Sequence, residues 1–406
     1  MGMFKWLYPG LRIKRWVLLC SLGMVLCSMG FVLTLNESQE IAGSIFVVAG
    51  IFAVITSVRK IIKSVITFLA PHHEGQVLNI MYQRGVLSSG PKIVAVGGGT
   101  GLSVLLQGLK ERTSNLTAIV TVADDGGSSG RLRSQFDMLP PGDIRNCLVA
   151  LADSGQTMQE LFKYRFSSDE VSDFSGHNFG NLFILAMMKI TGDFEKAIRE
   201  SSRILNIRGR VIPATLSNVT LVAEHADGKI LEGETNIASY EHQIKKLFLK
   251  PDNVSATVDA LRAIREADAI VLGPGSLYTS ILPNLLLDDL LAELVRTKAP
   301  KIYVCNIMTQ PNETLHLKSD AAHVQALVQN TQSDVLTHVI VNRGRIPVEL
   351  EAAYNKDGAF ALEKESEAIR QMGYTVVETD LVKTVDYVRH NSRKLAKIIT
   401  EIAQNK

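Results

Sequence analysis

The sequence predicts an α/β protein whose doubly wound, mostly parallel sheet carries a small β-hairpin excursion and follows a two-helix transmembrane hairpin. Short apolar runs rich in β-branched residues recur along residues 91–406, and each ends in a polar or glycine-bearing tip before a helical pattern begins. Residues 219–232 instead alternate apolar and polar side chains around an Asp-Gly turn, which is typical of a β-hairpin. Two long uncharged runs occupy most of residues 1–58.

The two uncharged runs, residues 16–35 and 41–58, predict the transmembrane hairpin. A helix over the first run spans about 30 Å, the thickness of the hydrocarbon core. Basic residues flank the pair on its outer sides, and a short acidic loop joins the two runs. The positive-inside rule then predicts a multi-pass protein of the plasma (inner) membrane with both termini and the α/β domain in the cytoplasm. A cleavable signal peptide is the alternative, but no A-x-A-like site follows the first run.

After the predicted hairpin, we expect a linker over residues 59–90 and one α/β domain over residues 91–406. The composition of the chain limits the functions that this domain can have. The chain has 43 Lys and Arg against 41 Asp and Glu, so its net charge gives no indication of a nucleic-acid partner. Its 4 cysteines are too few and too scattered for a disulfide framework or a zinc site.

A glycine-rich loop follows the first predicted strand of this domain. Residues 92–96 predict a buried strand, residues 97–101 have the sequence GGGTG, and leucines at helical spacing come next. Glycine lets backbone amides approach an anion, and the positive end of the following helix lies at the same place. A turn that binds nothing is the alternative, which four glycines in five residues fit poorly. We therefore predict a phosphate-binding loop that includes Gly98, Gly99, Thr100 and Gly101.

The second predicted strand ends in a different kind of tip. Residues 124–130 have the sequence DDGGSSG, and three roles are open for Asp124 and Asp125: a hydrogen bond to ribose, a Mg²⁺ ligand, or a capping turn. Arg131 adds positive charge beside a phosphate, or is a solvated residue at a helix start. Asp143 is an N-cap candidate in a later helix.

Further strands are predicted at residues 267–272, 302–307, 335–341 and 374–378, and the tip at 273–284 again carries glycines. Because the carboxyl ends of parallel strands share one edge of a sheet, we expect the tips to line one cleft, sized for a nucleotide diphosphate with an attached group. The sequence contains no P-loop and no recognisable nucleophile or general base, so it predicts binding rather than catalysis.

Six ordered segments together resemble a known family: GGGTGLSVLLQGLK, TVADDGGSSGRLR, PPGDIRNCLVALAD, GHNFGNLF, GPGSLYTSILPNLL and YVCNIMTQPNET. They resemble the gluconeogenesis factor family (YvcK-like), within the superfamily of the 2-phospho-L-lactate transferases (CofD-like). The resemblance implies a Rossmann-like fold that binds a nucleotide sugar such as UDP-N-acetylglucosamine. It also implies a regulator of carbon metabolism, cell-wall synthesis and cell shape, with proteins of those processes as partners, and it leaves a homodimer open. Carried onto this chain, the implied ligand-binding residues are Gly98, Gly99, Thr100, Gly101, Asp124, Asp125, Gly126, Ser129, Asn284 and Arg389.

The transferase branch of the superfamily implies a different activity. There a phospholactyl-type group would move from a nucleotide diphosphate carrier to a deazaflavin with Mg²⁺, for which Asp124 is the candidate ligand. The Ser-Gly-Arg continuation at residues 129–131 resembles the factor branch instead. We therefore predict a non-catalytic binding protein, with a Mg²⁺-dependent transferase as the alternative. The transmembrane hairpin departs from the family as commonly known, and it implies that this protein works at the membrane.

Overall fold

The computed structural model describes residues 14–69, 85–167, 174–384 and 388–405. The chain folds as two compact units, Met1–Val86 and Leu87–Lys406. In the first unit, α1 (Lys14–Thr34) and α2 (Glu40–Leu69) are joined by a 3₁₀ turn. By length and composition, both helices could cross a membrane. Because α2 continues to Leu69, residues 59–69 of the predicted linker are helical; residues 70–84 of that linker lie outside the described residues.

Glycines line the contact between α1 and α2. Gly23 and Gly30 of α1 face Gly50 and Gly43 of α2 so closely that no side chain fits between the backbones. A Cβ on Gly50 would lie 2.5 Å from the sulfur of Cys27 and 2.6 Å from the carbonyl oxygen of Gly23. Small residues at such contacts are typical of helix pairs in membranes. The outward faces carry exposed large apolar side chains, among them Leu18, Val25, Phe31, Ile41, Val48 and Phe52.

Gly50→Val is expected to force α1 and α2 apart, because the added atoms meet the backbone of Gly23 and Cys27. The stability of the hairpin should fall by about 2 kcal/mol, a usual cost of overpacking. Unfolding of the chain in mixed micelles of increasing SDS, followed by circular dichroism, measures it. Val48→Leu on the outward face is the control and should leave the transition unchanged; equal shifts in the two variants would contradict the close packing.

The second unit contains the predicted α/β architecture. Its strands are β1 (Ile93–Gly97), β2 (Leu116–Val120), β3 (Arg210–Pro213), β4 (Thr220–His225), β5 (Ile230–Glu232), β6 (Ile244–Lys250), β7 (Ala269–Leu272), β8 (Lys301–Val304), β9 (His338–Asn342), β10 (Thr375–Thr379), β11 (Val382–Thr384) and β12 (Val388–His390). Its helices are α3 (Gly99–Leu109), α4 (Gly127–Phe136), α5 (Gly142–Leu151), α6 (Gln156–Lys163), α7 (Phe179–Thr191), α8 (Phe194–Ile204), α9 (Glu234–Ala238), α10 (Val258–Arg265), α11 (Leu282–Leu285), α12 (Asp288–Arg296), α13 (Asp320–Gln329), α14 (Val348–Lys356), α15 (Ser366–Gln371) and α16 (Ser392–Gln404).

Seven of the described strands form one sheet in the order β10-β9-β8-β7-β1-β2-β3, and all neighbouring pairs are parallel. The predicted doubly wound parallel sheet is therefore confirmed. The central strands β1, β2, β7 and β8 are buried along their whole length, which explains why their sequences are apolar except for Thr117 in β2 and Lys301 in β8. The predicted hairpin is the antiparallel pair β4–β5, which β6 extends to a separate three-stranded sheet.

The order of the strands reverses at β1. The chain runs from β1 outward to β2 and β3, and after the small sheet it returns to β7 on the other side of β1. From β7 it continues outward to β8, β9 and β10. A ligand crevice is expected outside the carboxyl ends of the strands where the order reverses, which here means between β1 and β7.

Candidate functional site

A cavity of about 640 Å³ lies at the carboxyl ends of β1, β7 and β8, and we call it the switch-point cavity. It falls within the usual size range of small-molecule sites. Residues 98–101 after β1, 274–276 after β7 and 306–311 after β8 line it. The small sheet adds Glu234, and β12 adds Arg389 and His390. The crevice expected from the strand order is therefore present.

The glycine loop packs directly against the turn that follows β7. Helix α3 begins at Gly99, so the amide groups of its first turn, which have no partner within the helix, lie at the cavity. A Cβ on Gly101 would lie 2.8 Å from the carbonyl carbon of Pro274 and 2.9 Å from the Cα of Gly275. Gly99 has a φ of 64°, a left-handed conformation that favours glycine. The two glycine-bearing tips thus form one continuous backbone wall.

Asp143 reaches this wall from the first turn of α5. Its carboxylate accepts a hydrogen bond from the Gly99 amide and lies against the Cα of Gly98, where a side chain would collide with it. Burial, and then the charge of Asp124, raise the pKa of Asp143 to about 7. The N-cap prediction for Asp143 is wrong: the residue before α5 is Pro141, and no side chain caps that helix end. The sequence identified the position but not its partner.

Asp124 lies in a second, adjoining group of polar residues. Its Oδ1 accepts a hydrogen bond from the Gly126 amide at 2.9 Å, and its carboxylate also accepts one from the Ser129 hydroxyl. Burial is the main cause that raises the pKa of Asp124. Asp124, Gly126 and Ser129 do not line the switch-point cavity itself. This group acts on the cavity through Asp143, because the charge of Asp124 helps to raise the pKa of Asp143.

Glu234, which is not among the site residues predicted from the sequence, reaches the cavity from the small sheet. It opens the short helix α9 and accepts a hydrogen bond from the side chain of Thr279. Burial, followed by the charges of Asp124 and Asp143, raises the pKa of Glu234 to about 9. A single glutamate after a hairpin carries no motif, so only the fold reveals its position.

The side chain of Asp125 accepts hydrogen bonds from Thr235 and does not line the switch-point cavity. Its Oδ1 accepts hydrogen bonds from the Thr235 amide at 2.9 Å and from the Thr235 hydroxyl at 2.7 Å. Of the roles open to the pair of aspartates, capping therefore describes Asp125, which holds α9 and so positions Glu234.

Asp125→Ala is expected to lower the stability of the α/β unit by about 1 kcal/mol, as the loss of a cap does. It should also weaken binding in the cavity, because Glu234 loses its support. Urea unfolding followed by circular dichroism measures the first effect. Asp252→Ala, at an exposed position after β6, is the matched control, and an equal loss in that variant would argue against a capping role for Asp125.

The remaining predicted residues divide between the cavity and the interior. Arg389 lines the cavity beside His390, whose Nε2 lies 3.1 Å from the carbonyl oxygen of Cys305. Burial lowers the pKa of His390 to about 4, so that this imidazole is neutral.

Asn284 is fully buried, and its Nδ2 donates to the carbonyl oxygens of Gly97 at 3.3 Å and Ser280 at 2.8 Å. It joins the two tips rather than lining the cavity. Arg131 lies elsewhere and donates to the carbonyl oxygen of Ser175 at 2.8 Å.

The carboxylates do not form a complete metal site by themselves. Among the described residues, no three His, Cys, Asp or Glu side chains are arranged to hold a metal ion. Mg²⁺ is usually held by one or two carboxylates together with substrate phosphates, and Asp124 and Asp143 offer carboxylates of that kind beside the glycine loop.

Comparison with known proteins decides the family. Residues 93–382 match the family described as 2-phospho-L-lactate transferase CofD. A Clostridium acetobutylicum protein named "Putative gluconeogenesis factor" is 40% identical to this chain, over 100% of this chain and 93% of that protein. The chain belongs to the gluconeogenesis factor family. The gluconeogenesis factor of Bacillus subtilis is 46% identical over 77% of this chain and 98% of its own length.

A solved structure of a similar protein has the same fold as the α/β unit. A crystal structure of a UPF0052 family protein from Bacillus halodurans, at 2.60 Å resolution, matches with a TM-score of 0.73 and 42% identity. The match covers 76% of this chain and 98% of the other. The family resemblance and the Rossmann-like fold predicted from the sequence are both confirmed, as is the relationship to the CofD-like superfamily.

The N-terminal unit is not peculiar to this member of the family. The alignment with the Clostridium protein covers 100% of the chain, and that with a relative from Nostoc covers 98%. The alignment with the Bacillus subtilis factor covers 77% of the chain and nearly all of that factor. The alignment therefore includes the hairpin in some relatives and is shorter in others, such as the Bacillus subtilis factor.

Proposed function

We propose that the α/β unit binds a nucleotide sugar of the UDP-N-acetylglucosamine type in the switch-point cavity, and that this binding regulates carbon metabolism, cell-wall synthesis and cell shape. The observation that carries the proposal is the backbone wall at the reversal of strand order, where two glycine-bearing tips meet at the start of α3. In this proposal the diphosphate lies at the first turn of α3, where helix amides favour an anion. Arg389 adds positive charge from β12.

The side chains around the cavity favour binding over catalysis. The hydroxyl of Ser276 forms a hydrogen bond with the Thr279 hydroxyl at 2.6 Å and donates one to the buried carboxylate of Glu313. The same carboxylate accepts a hydrogen bond from the Tyr278 amide at 3.0 Å. His390 is neutral and bonded to a backbone carbonyl. Ser276 and His390 are thus hydrogen-bonded to other groups of the protein. The described lining of the cavity therefore supplies no activated nucleophile of the serine–histidine kind. We therefore infer a regulator whose output is its ligand occupancy.

A Mg²⁺-dependent transferase is the second candidate, and the pair Asp124 and Asp143 supports it. Both carboxyls have raised pKa values, which a bound cation would reverse. If this candidate is correct, incubation with a nucleotide diphosphate carrier, a deazaflavin acceptor and Mg²⁺ transfers the phosphoryl-linked group to the acceptor and releases the nucleoside monophosphate, and Asp124→Asn abolishes this reaction. Product formation unaffected by Asp124→Asn would assign the chemistry elsewhere.

We further propose that the N-terminal unit anchors the protein in the inner membrane with its charged end in the cytoplasm. The apolar outward faces of α1 and α2 support this placement. Arg15 lies 5.2 Å and Lys60 5.7 Å from the ring centre of Trp16, which joins the start of α1 to the distal part of α2. Arg59 and Lys63 lie at the same end of α2. Aromatic and basic residues are typical of the cytoplasmic membrane interface. Retention of the protein in alkali-washed membranes tests the proposal, and full release would contradict it.

Calorimetry of the full chain in detergent with UDP-N-acetylglucosamine tests the ligand, with a Kd expected in the micromolar range. Arg389→Gln should weaken binding by about tenfold, the loss expected for one charge-assisted contact to a phosphate. Arg296→Gln is the control, because Arg296 is an exposed arginine at the end of α12, which leads to the opposite edge of the sheet. An absence of heat with the unmodified chain would count against the proposed ligand, and equal losses in the two variants against the role of Arg389.

A further inference from the structure

Three arginines lie together near the tip of β2, and we call Arg131, Arg145 and Arg165 the arginine cluster. Arg131 and Arg165 hold consecutive carbonyl groups of one turn: Arg131 Nη2 donates to Ser175 at 2.8 Å, and Arg165 Nη1 donates to Gly176 at 2.6 Å. A Cβ on Gly176 would lie 3.0 Å from Arg131 Nη2, so the absence of a side chain lets the guanidinium lie against the turn. Both arginines are exposed to solvent.

Arg145 lies deeper, on α5. Its Nη1 donates to Asn181 Oδ1 at 3.0 Å and its Nη2 donates to Asn146 Oδ1 at 2.7 Å. Burial, and then the charge of Arg165, lower the pKa of Arg145 to about 10. Arg165 pairs through its backbone with Asn178, three residues before Asn181, so Arg145 and Arg165 both lie at the start of α7.

Within the described residues, no carboxylate forms an ion pair with the arginine cluster. The ion pairs in that part of the chain involve other arginines and lysines, and none includes Arg131, Arg145 or Arg165. A guanidinium has five N–H donors, of which the hydrogen bonds above use one each in Arg131 and Arg165 and two in Arg145. These contacts leave N–H donors available for an anion at all three positions, and the charges of Asp143 and Asp124 act on Arg145 among the three.

Buried neutral groups hold the cluster in place. Ser128 Oγ accepts hydrogen bonds from the Asn178 amide at 3.3 Å and from Asn181 Nδ2 at 3.1 Å, and it lies 3.2 Å from His177 Nδ1. Burial, with the charges of Arg131 and Arg165, lowers the pKa of His177. Asn178 caps α7 through the Asn181 amide. These side chains are hydrogen-bonded to one another, and Asn181 joins them to the cluster by accepting the hydrogen bond from Arg145.

We infer that the arginine cluster binds an oxyanion of the phosphate monoester class. A phosphate dianion fits guanidinium groups through paired N–H···O bonds and offsets the repulsion between Arg145 and Arg165. Two sources share this chemistry: a separate phosphorylated metabolite, or a phosphate of the ligand in the switch-point cavity. Arg145 connects the two places, because its charge acts on Asp143, which holds the Gly99 amide.

Inorganic phosphate is the probe, titrated by calorimetry into the full chain in detergent at low ionic strength, with a Kd expected near 1 mM. Arg131→Gln and Arg165→Gln should each weaken binding by about tenfold, and Arg165→Lys by less, since it keeps the charge but not the paired donors. Arg296→Gln should bind as the unmodified chain does, and circular dichroism melts confirm that each variant is folded. No binding up to about 10 mM phosphate, or equal affinity in all variants, overturns the inference.

A second titration, with UDP-N-acetylglucosamine present, separates the sources. Unchanged phosphate affinity assigns the cluster to a separate metabolite, and competition assigns it to a phosphate of the cavity ligand. The inference does not rest on the proposed function: phosphate binding without nucleotide-sugar binding removes only the proposed function, and the reverse removes only the oxyanion site.

Discussion

Gly101→Ala is expected to lower the free energy of unfolding of the α/β unit by about 3 kcal/mol and to abolish nucleotide-sugar binding. The added methyl group would meet the carbonyl carbon of Pro274 at 2.8 Å and the Cα of Gly275 at 2.9 Å. These are backbone atoms, which cannot rotate away as a flexible side chain can. The two tips would have to separate where the diphosphate is proposed to bind.

Gly97→Ala is the matched control for stability. It adds the same methyl group at the end of β1, where the nearest atoms would lie 3.8 Å away at ordinary contact distance. We expect its free energy of unfolding to stay within about 0.5 kcal/mol of the unmodified chain. Urea denaturation followed by circular dichroism measures both variants, and calorimetry measures the ligand. Equal losses of stability would contradict the close packing of Gly101.

The affinity for a nucleotide sugar is expected to fall as the pH rises from about 6 to 9, by at most about tenfold per pH unit for each titrating group. Asp143 has a pKa of about 7 and Glu234 one of about 9, and both act at the switch-point cavity. Each loss of a proton adds a negative charge beside the anionic diphosphate. The charge of the diphosphate itself changes little in this range.

The stability of the fold should change in the same direction. In the folded chain both carboxyls have pKa values above their ordinary values of 3.8 and 4.5, so the folded state binds more protons than the unfolded state. The free energy of unfolding therefore falls as the pH rises, between about pH 4 and 7 for Asp143 and between about pH 4.5 and 9 for Glu234. The slope is at most about 1.4 kcal/mol per pH unit for each group.

Substitutions assign the two windows. In the stability profile, Asp143→Asn should reduce the slope below about pH 7, and Glu234→Gln should remove the slope that continues from about pH 7 to 9. Glu266→Gln is the control, because Glu266 is exposed and pairs with Lys92 at the amino end of β1. Calorimetry at several pH values and urea denaturation provide the two profiles. An affinity independent of pH in the unmodified chain would contradict the role of both carboxyls.

Much of the fold was predictable because its signals are local. An apolar strand followed by glycines and a leucine-spaced helix predicts β1, the glycine loop and α3 without reference to any other part of the chain. The hairpin β4–β5 follows from alternation and an Asp-Gly turn. The family resemblance added Asn284 and Arg389, but it could not distinguish their places: Arg389 lines the cavity, and Asn284 is buried and does not line it.

The sequence by itself determined the architecture and the family, the glycine loop as the centre of the candidate site, and two helices apolar enough to span a membrane. Only the tertiary structure decided which strand lies beside β1, and hence that the tip of β7 closes the loop. It also decided that Asp125 supports α9, that Asp143 and Glu234 act at the cavity, and that three arginines lie together. The physical reason is that these contacts join residues that are distant in the chain. The pKa values of Asp143 and Glu234 depend on their burial in the folded chain, which no local pattern of residues records.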